Sequence, residues 1–177
     1  VCDPVPGLGT VAIVVTAGRG ARWEATEQSG WSHLLEHMVF KGAAGRSARQ
    51  IAEAVESAGG QMNAETGFER TVFHVRTLPE GLDGACALLS DLLLRPTLDP
   101  RDLRRERQVV LQEIAEAEDA PDDLVFEMAQ SVAFAGQPLG RSILGAPHSL
   151  SKTTVADLAD WRGRLYAPDR LVISVSG

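Results

Sequence analysis

The sequence is poor in cysteine, with only Cys2 and Cys86 among 177 residues. Two cysteines do not make a disulfide framework, and these lack the C-x-x-C spacing of a thiolate metal site. Cys86 falls on the apolar face of an expected helix, which assigns it to the core. No apolar run approaches the roughly 20 residues needed to cross a bilayer. Positive charge is also short: 17 Lys and Arg face 24 Asp and Glu, a formal charge of −7. That balance argues against a nucleic-acid surface and suits a neutral or basic substrate. There is no internal repeat, no low-complexity tract and no visible signal peptide. The chain opens without methionine, on Val1-Cys2-Asp3-Pro4, so the expectation is a sequence that begins mid-protein. Its compartment is not encoded here; a soluble protein of the bacterial cytoplasm or periplasm is the expectation. The length fits one domain, residues 1–177, with a real core.

What is present reads as alternating layers. Thr10 to Ala17 is rich in β-branched residues and predicts a buried strand. Gly18 to Gly30 and Gly42 to Arg46 read as loops. Ser47 is a candidate N-cap for a helix over Ala48 to Ser57, with Ile51 and Val55 facing in and Gly59-Gly60 ending it. Gln61 to Thr66 and Arg70 to Leu78 predict two strands, the second alternating strictly, with His74 as a structural strand residue. Pro79 predicts the first turn of a helix to about Leu94, with Leu82, Ala85, Leu89 and Leu92 or Leu93 inward. Asp99-Pro100 predicts a helix start, and Arg101 to Glu118 a heavily charged helix whose arginines are solvated or ion-paired. A helix from Pro121 through Phe134, a loop from Gly136 to His148, a capped helix from Thr154 to about Tyr166 and a strand over Leu171 to Gly177 complete the chain. The fold class is α+β: a two-layer sandwich, mostly antiparallel sheet with helices packed on it.

Histidine is also scarce, with four residues, yet two of them fall in Gly30-Trp31-Ser32-His33-Leu34-Leu35-Glu36-His37-Met38-Val39-Phe40-Lys41-Gly42. His33 and His37 are four apart, so on a helix both imidazoles lie on one face, one turn apart. Glu36 addresses the same site from the side. Imidazole suits zinc, and a carboxylate nearby suits proton removal from a water. His-x-x-Glu-His is the inverted form of the His-Glu-x-x-His zinc signature. Taken alone, the motif leaves a solvated surface pair and a metal site both open; the apolar neighbours favour the metal. Two histidines leave such a site one protein ligand short, and His74 and His148 have poor context. Glu106 and Glu113 are two helical turns apart, ~10.5 Å along the axis. Val110 lies on their shared face and tips Glu113 inward.

The segments GWSHLLEHMVFKG, AGGQMNAET, ERQVVLQEI, PLGRSILG and LYAPDRLVISVSG, in this order, make the chain resemble the inverzincin peptidases of the pitrilysin, insulin-degrading enzyme and mitochondrial processing peptidase family. The resemblance spans nearly the whole chain. It implies a metallopeptidase domain of the pitrilysin-like type, with one zinc held by His33, His37 and Glu113 and with Glu36 as general base for a metal-activated water. It implies Glu106 as a supporting glutamate beside the ligands. Asn63, Ala64, Glu65 and Thr66 match the family's edge strand, which takes a peptide or unfolded protein as an added strand. At Glu65 many relatives carry an aromatic or small residue; the charge either biases the site toward basic residues or faces solvent.

The family's usual second, homologous domain supplies an Arg/Tyr pair that holds the substrate carbonyl, and these 177 residues do not contain it. The resemblance therefore implies a zinc-bearing half, truncated within the first strand, that works with a second domain or partner subunit. Two other readings compete. One is an S-ribosylhomocysteine lyase-like metalloenzyme, with Cys86 as third ligand. The other is a non-catalytic subunit serving in assembly, although such members usually lose motif residues that this chain keeps.

Overall fold

The β-branched run near the N-terminus forms the middle of a five-stranded sheet. The computed structural model describes residues 1–177. Its strands are β1 (Cys2–Asp3), β2 (Val11–Ala17), β3 (Gly42–Ala43), β4 (Arg46–Ser47), β5 (Gln61–Thr66), β6 (Thr71–Thr77) and β7 (Leu171–Ser176). β3 and β4 pair with each other in the segment that reads as a loop; the others form one sheet in the order β1-β7-β2-β6-β5. All neighbours run antiparallel except β1 with β7. β5 is therefore an edge strand, as the resemblance implied.

Period-two alternation decides which face is buried. Ile13, Val15 and Ala17 of β2 and Phe73 and Val75 of β6 point into the core, while Ala12, His74 and Arg76 are exposed on the other face. The helices are α1 (Trp31–Val39), α2 (Ala48–Ser57), α3 (Leu82–Leu94), α4 (Pro100–Asp119), α5 (Pro121–Ala133), α6 (Pro147–Lys152) and α7 (Val155–Leu165). Leu34, Leu35 and Met38 of α1, Leu89 and Leu93 of α3, Leu103 and Val110 of α4 and Leu158, Trp161 and Leu165 of α7 join the sheet residues in one core. Sheet and helices form the α+β arrangement expected from the sequence.

Local signals hold up well at helix ends. Ser47 and Gln50 form a reciprocal capping box for α2, as Thr154 and Asp157 do for α7. Asp99 accepts from the Arg101 N–H ahead of Pro100. No helix is long and apolar enough to cross a membrane.

Several expectations need correction. Pro79 opens a short 3-10 turn, Pro79–Gly81, and α3 begins only at Leu82. The segment from Gly136 contains a 3-10 turn at Pro138–Gly140 and the start of α6, because proline at a first helical position costs no hydrogen bond. Cys86 is exposed, not core. α3 turns Ala85, Leu88, Leu89, Leu92 and Leu93 inward, one residue round from Cys86. The same face buries Asp91, which a hydrophobic pattern does not pick out; Arg46, at 2.6 Å, and Arg95 neutralise it.

Candidate metal centre

Helix α1 carries the motif, and packing sets its rotation. Leu34, Leu35, Met38 and Val39 are fully buried, each worth about 1.5–3 kcal/mol when removed from water. With those four inward, His33, Glu36 and His37 share the partly buried flank. The helix starts at Gly30, whose backbone is left-handed at φ 92°. A Cβ there would meet Gly145 Cα and Leu144 O at 2.7 Å, so only glycine lets the loop before α6 pass this close.

The first N–H groups of α1 are satisfied from a distance. Buried Glu24 accepts from Gly30 N at 2.8 Å and from Ser32 N at 2.7 Å. Arg141 donates to the Glu24 backbone carbonyl, and Trp161 donates to Ser32 Oγ at 3.1 Å. Burial pushes the Glu24 carboxyl from its ordinary 4.5 up to about 7, only partly opposed by the donors around it. The folded-state value thus lies above the unfolded one. Neutral Glu24 stabilises the fold fully below about pH 4.5, and the contribution is lost as pH rises through about 7. Relative to a Glu24→Gln variant, the parent chain should lose about 3 kcal/mol of unfolding free energy between those limits. Denaturant titrations of both proteins across that range check it; a pH-independent difference between them would show that Glu24 does not titrate there.

Glu113 arrives from α4, which packs against α1. Ligand atoms of His33, His37 and Glu113 all lie within 4.8 Å of one another. The two Nε2 atoms are 3.3 Å apart, and Glu113 Oε2 lies 3.7 Å from His33 Nε2 and 3.6 Å from His37 Nε2. Burial, with the His37 charge adding to it, pushes the His33 imidazole down to about 4, so it is neutral at pH 7 and keeps a lone pair to donate. His33 Nδ1 and Glu113 Oε2 are buried without a hydrogen-bond partner. Two imidazole nitrogens converging with an unsatisfied carboxylate oxygen fit a small divalent cation of zinc's ligand preference.

Glu106, two turns before Glu113 on α4, lies 3.2 Å from His37 Nδ1 through Oε2, and its Oε1 lies 3.0 Å from Lys41 Nζ. Holding the Nδ1 proton leaves Nε2 free to face the cluster. Glu36 points elsewhere: its Oε2 accepts from Thr66 Oγ1 at 2.6 Å, and burial raises its pKa against that hydrogen bond. A carboxylate whose proton affinity is raised in this way suits general-base work. Asn63, Ala64, Glu65 and Thr66 all lie on edge strand β5, with Ala64 and Thr66 inward and Asn63 and Glu65 exposed. His74 sits opposite Asn63 on β6, away from the cluster, and Cys86 takes no part in it.

A family model described as insulinase, peptidase family M16, matches residues 6–147. The chain belongs to peptidase family M16. An uncharacterized zinc protease of Rickettsia felis is 40% identical over 173 residues, covering 98% of this chain and 42% of that protein. The beta subunit of the mitochondrial-processing peptidase of Saccharomyces cerevisiae is 34% identical over 98% of this chain and 37% of its own length. Among solved structures, a protease from Helicobacter pylori superposes with a TM-score of 0.91 at 25% identity, over 97% of this chain and 42% of that one. Pitrilysin shares the fold, with a TM-score of 0.84 at 23% identity over 98% of this chain and 19% of its own. This M16 chain thus spans about two-fifths or less of the length of these relatives. Glu24 and the hydroxyl of Thr66 had no marker in the sequence: one sits in a loop without a motif, the other in a strand noted only for its backbone.

Proposed function

We propose that this chain is the zinc-bearing half of an endopeptidase, with one zinc on His33, His37 and Glu113 and with Glu36 as general base. The observation that carries the reading is the convergence of those three ligand atoms within 4.8 Å, on two helices, with the partly buried carboxylate of Glu36 on the same helix flank as the histidines. Three protein ligands are the number a catalytic zinc uses, and the bound metal would polarise the scissile carbonyl and lower the pKa of a water to about 7. Glu36, raised by burial, takes the proton from the attacking water and returns it to the leaving amine. Glu106 keeps His37 in the tautomer that ligates. The substrate is an extended peptide laid along β5, whose outer N–H and C=O groups have no strand partner within the chain.

One wall does not enclose a peptide. The oxyanion needs donors beyond this chain's site residues, and a second domain or partner subunit supplies them. Loss of one such donor costs about 100- to 1000-fold in rate. The chain alone should therefore cleave a fluorogenic peptide at least that much more slowly than the complete assembly. Chelator-sensitive cleavage by the chain alone, unchanged when the second half is added, would show the domain to be self-sufficient.

A further inference from the structure

We propose that Thr66 is a positioning residue for Glu36, its hydroxyl holding the carboxylate in the orientation in which it accepts and returns a proton. This rests on Glu36 being the general base. Thr66 is the last residue of β5, and the alternation that buries Ala64 turns its side chain inward as well, leaving it 8% exposed. Its Oγ1 donates to Glu36 Oε2 at 2.6 Å, the length of a charge-assisted O–H···O bond. Thr66 is the only residue that donates to this carboxylate; the hydroxyl of Tyr166, buried in the same core, makes no hydrogen bond.

The physical consequence is directional. A glutamate rotates freely about its last torsion, and its two oxygens are equivalent until one is held. Binding Oε2 leaves Oε1 to face the water. Threonine suits the task because its β-branched side chain is stiff at χ1, and β5 is held to β6 along its whole length. The same residue ends the edge strand along which the peptide is proposed to lie. Substrate register and base position are thereby set by one backbone segment, so a shift of β5 displaces both together.

The test is steady-state kinetics on the complete zinc-loaded enzyme, with zinc content and thermal melting measured alongside. Thr66→Val, close in shape, should lower kcat about 10- to 100-fold, the range typical when a group orienting a reactive residue is lost, with KM and zinc content unchanged. Thr66→Ser, which keeps the hydroxyl, should restore most of kcat. In a Glu36→Gln background, Thr66→Val should add no further loss, because the two act in series. Unchanged kcat in Thr66→Val overturns the proposal, as does equal impairment of Thr66→Val and Thr66→Ser. A rise in KM alone would make Thr66 a substrate contact, and loss of zinc or of the folded state in Thr66→Val would make its role structural; either overturns the proposal. A further loss in the Glu36→Gln background overturns it too. If Glu36→Gln by itself keeps full kcat, the general-base reading fails and takes this proposal with it. If Glu36→Gln is inactive and Thr66→Val is not, only this proposal fails.

Discussion

Replacing His33, His37 or Glu113 with alanine should each abolish stoichiometric zinc binding. Losing a hydrogen bond to a ligand typically costs about 10- to 100-fold in metal affinity, so losing the ligand atom itself should cost more than about 100-fold. The three positions should behave alike because each contributes one atom to a cluster only 4.8 Å across, with no fourth protein donor grouped with it. The variants should still fold, since the side chains removed lie on the partly buried flank of α1 and on α4, while Leu34, Leu35 and Met38 carry the packing. Metal analysis of the purified proteins decides it. Zinc that survived in Glu113→Ala and disappeared in Cys86→Ala would hand the third position to the thiol, against its exposed place on α3.

Glu36→Gln should separate holding the metal from using it. Zinc content should stay at one per chain, while peptide hydrolysis by the complete assembly falls about 100- to 10,000-fold, the range of general-base contributions. The amide keeps the shape and an oxygen to accept from Thr66, but it cannot take a proton from water. The distances support this division of labour. The cluster contains His33, His37 and Glu113 but not Glu36, whose carboxylate is turned to Thr66. Loss of zinc together with activity would make Glu36 a ligand and reverse the assignment.

Much of this site was legible because it is local. The spacing of His33, Glu36 and His37 fixes their relation on one helix, since 3.6 residues per turn relates neighbours wherever the helix lies. The caps at Ser47, Asp99 and Thr154, and the alternation of β6 from Thr71 to Thr77, are equally local and appear as the chain predicted. Glu113 was less local. Helical spacing placed Glu106 and Glu113 near one face, and the family resemblance, not the spacing, assigned one to the metal and the other to its support. Only the packing of α4 on α1 brings Glu113 Oε2 to 3.6 Å from His37 Nε2 and Glu106 to the other ring nitrogen.

Tertiary structure alone decided the rest. Glu24 reaches Gly30 and Ser32 because a loop folds back over the start of α1, and nothing in the residues around it marks a helix cap six positions away. Cys86 lies in an apolar helix, yet a rotation of about one residue exposes it and buries Asp91, whose charge is tolerable because Arg46 comes to it from β4 and Arg95 from the end of the same helix. The Thr66–Glu36 hydrogen bond joins residues 30 apart in sequence. Sequence periodicity determines what each element presents to its surroundings. Which faces meet depends on how the elements pack, and in this chain that packing brings the side chains of His33, His37 and Glu113 together and Glu36 to Thr66.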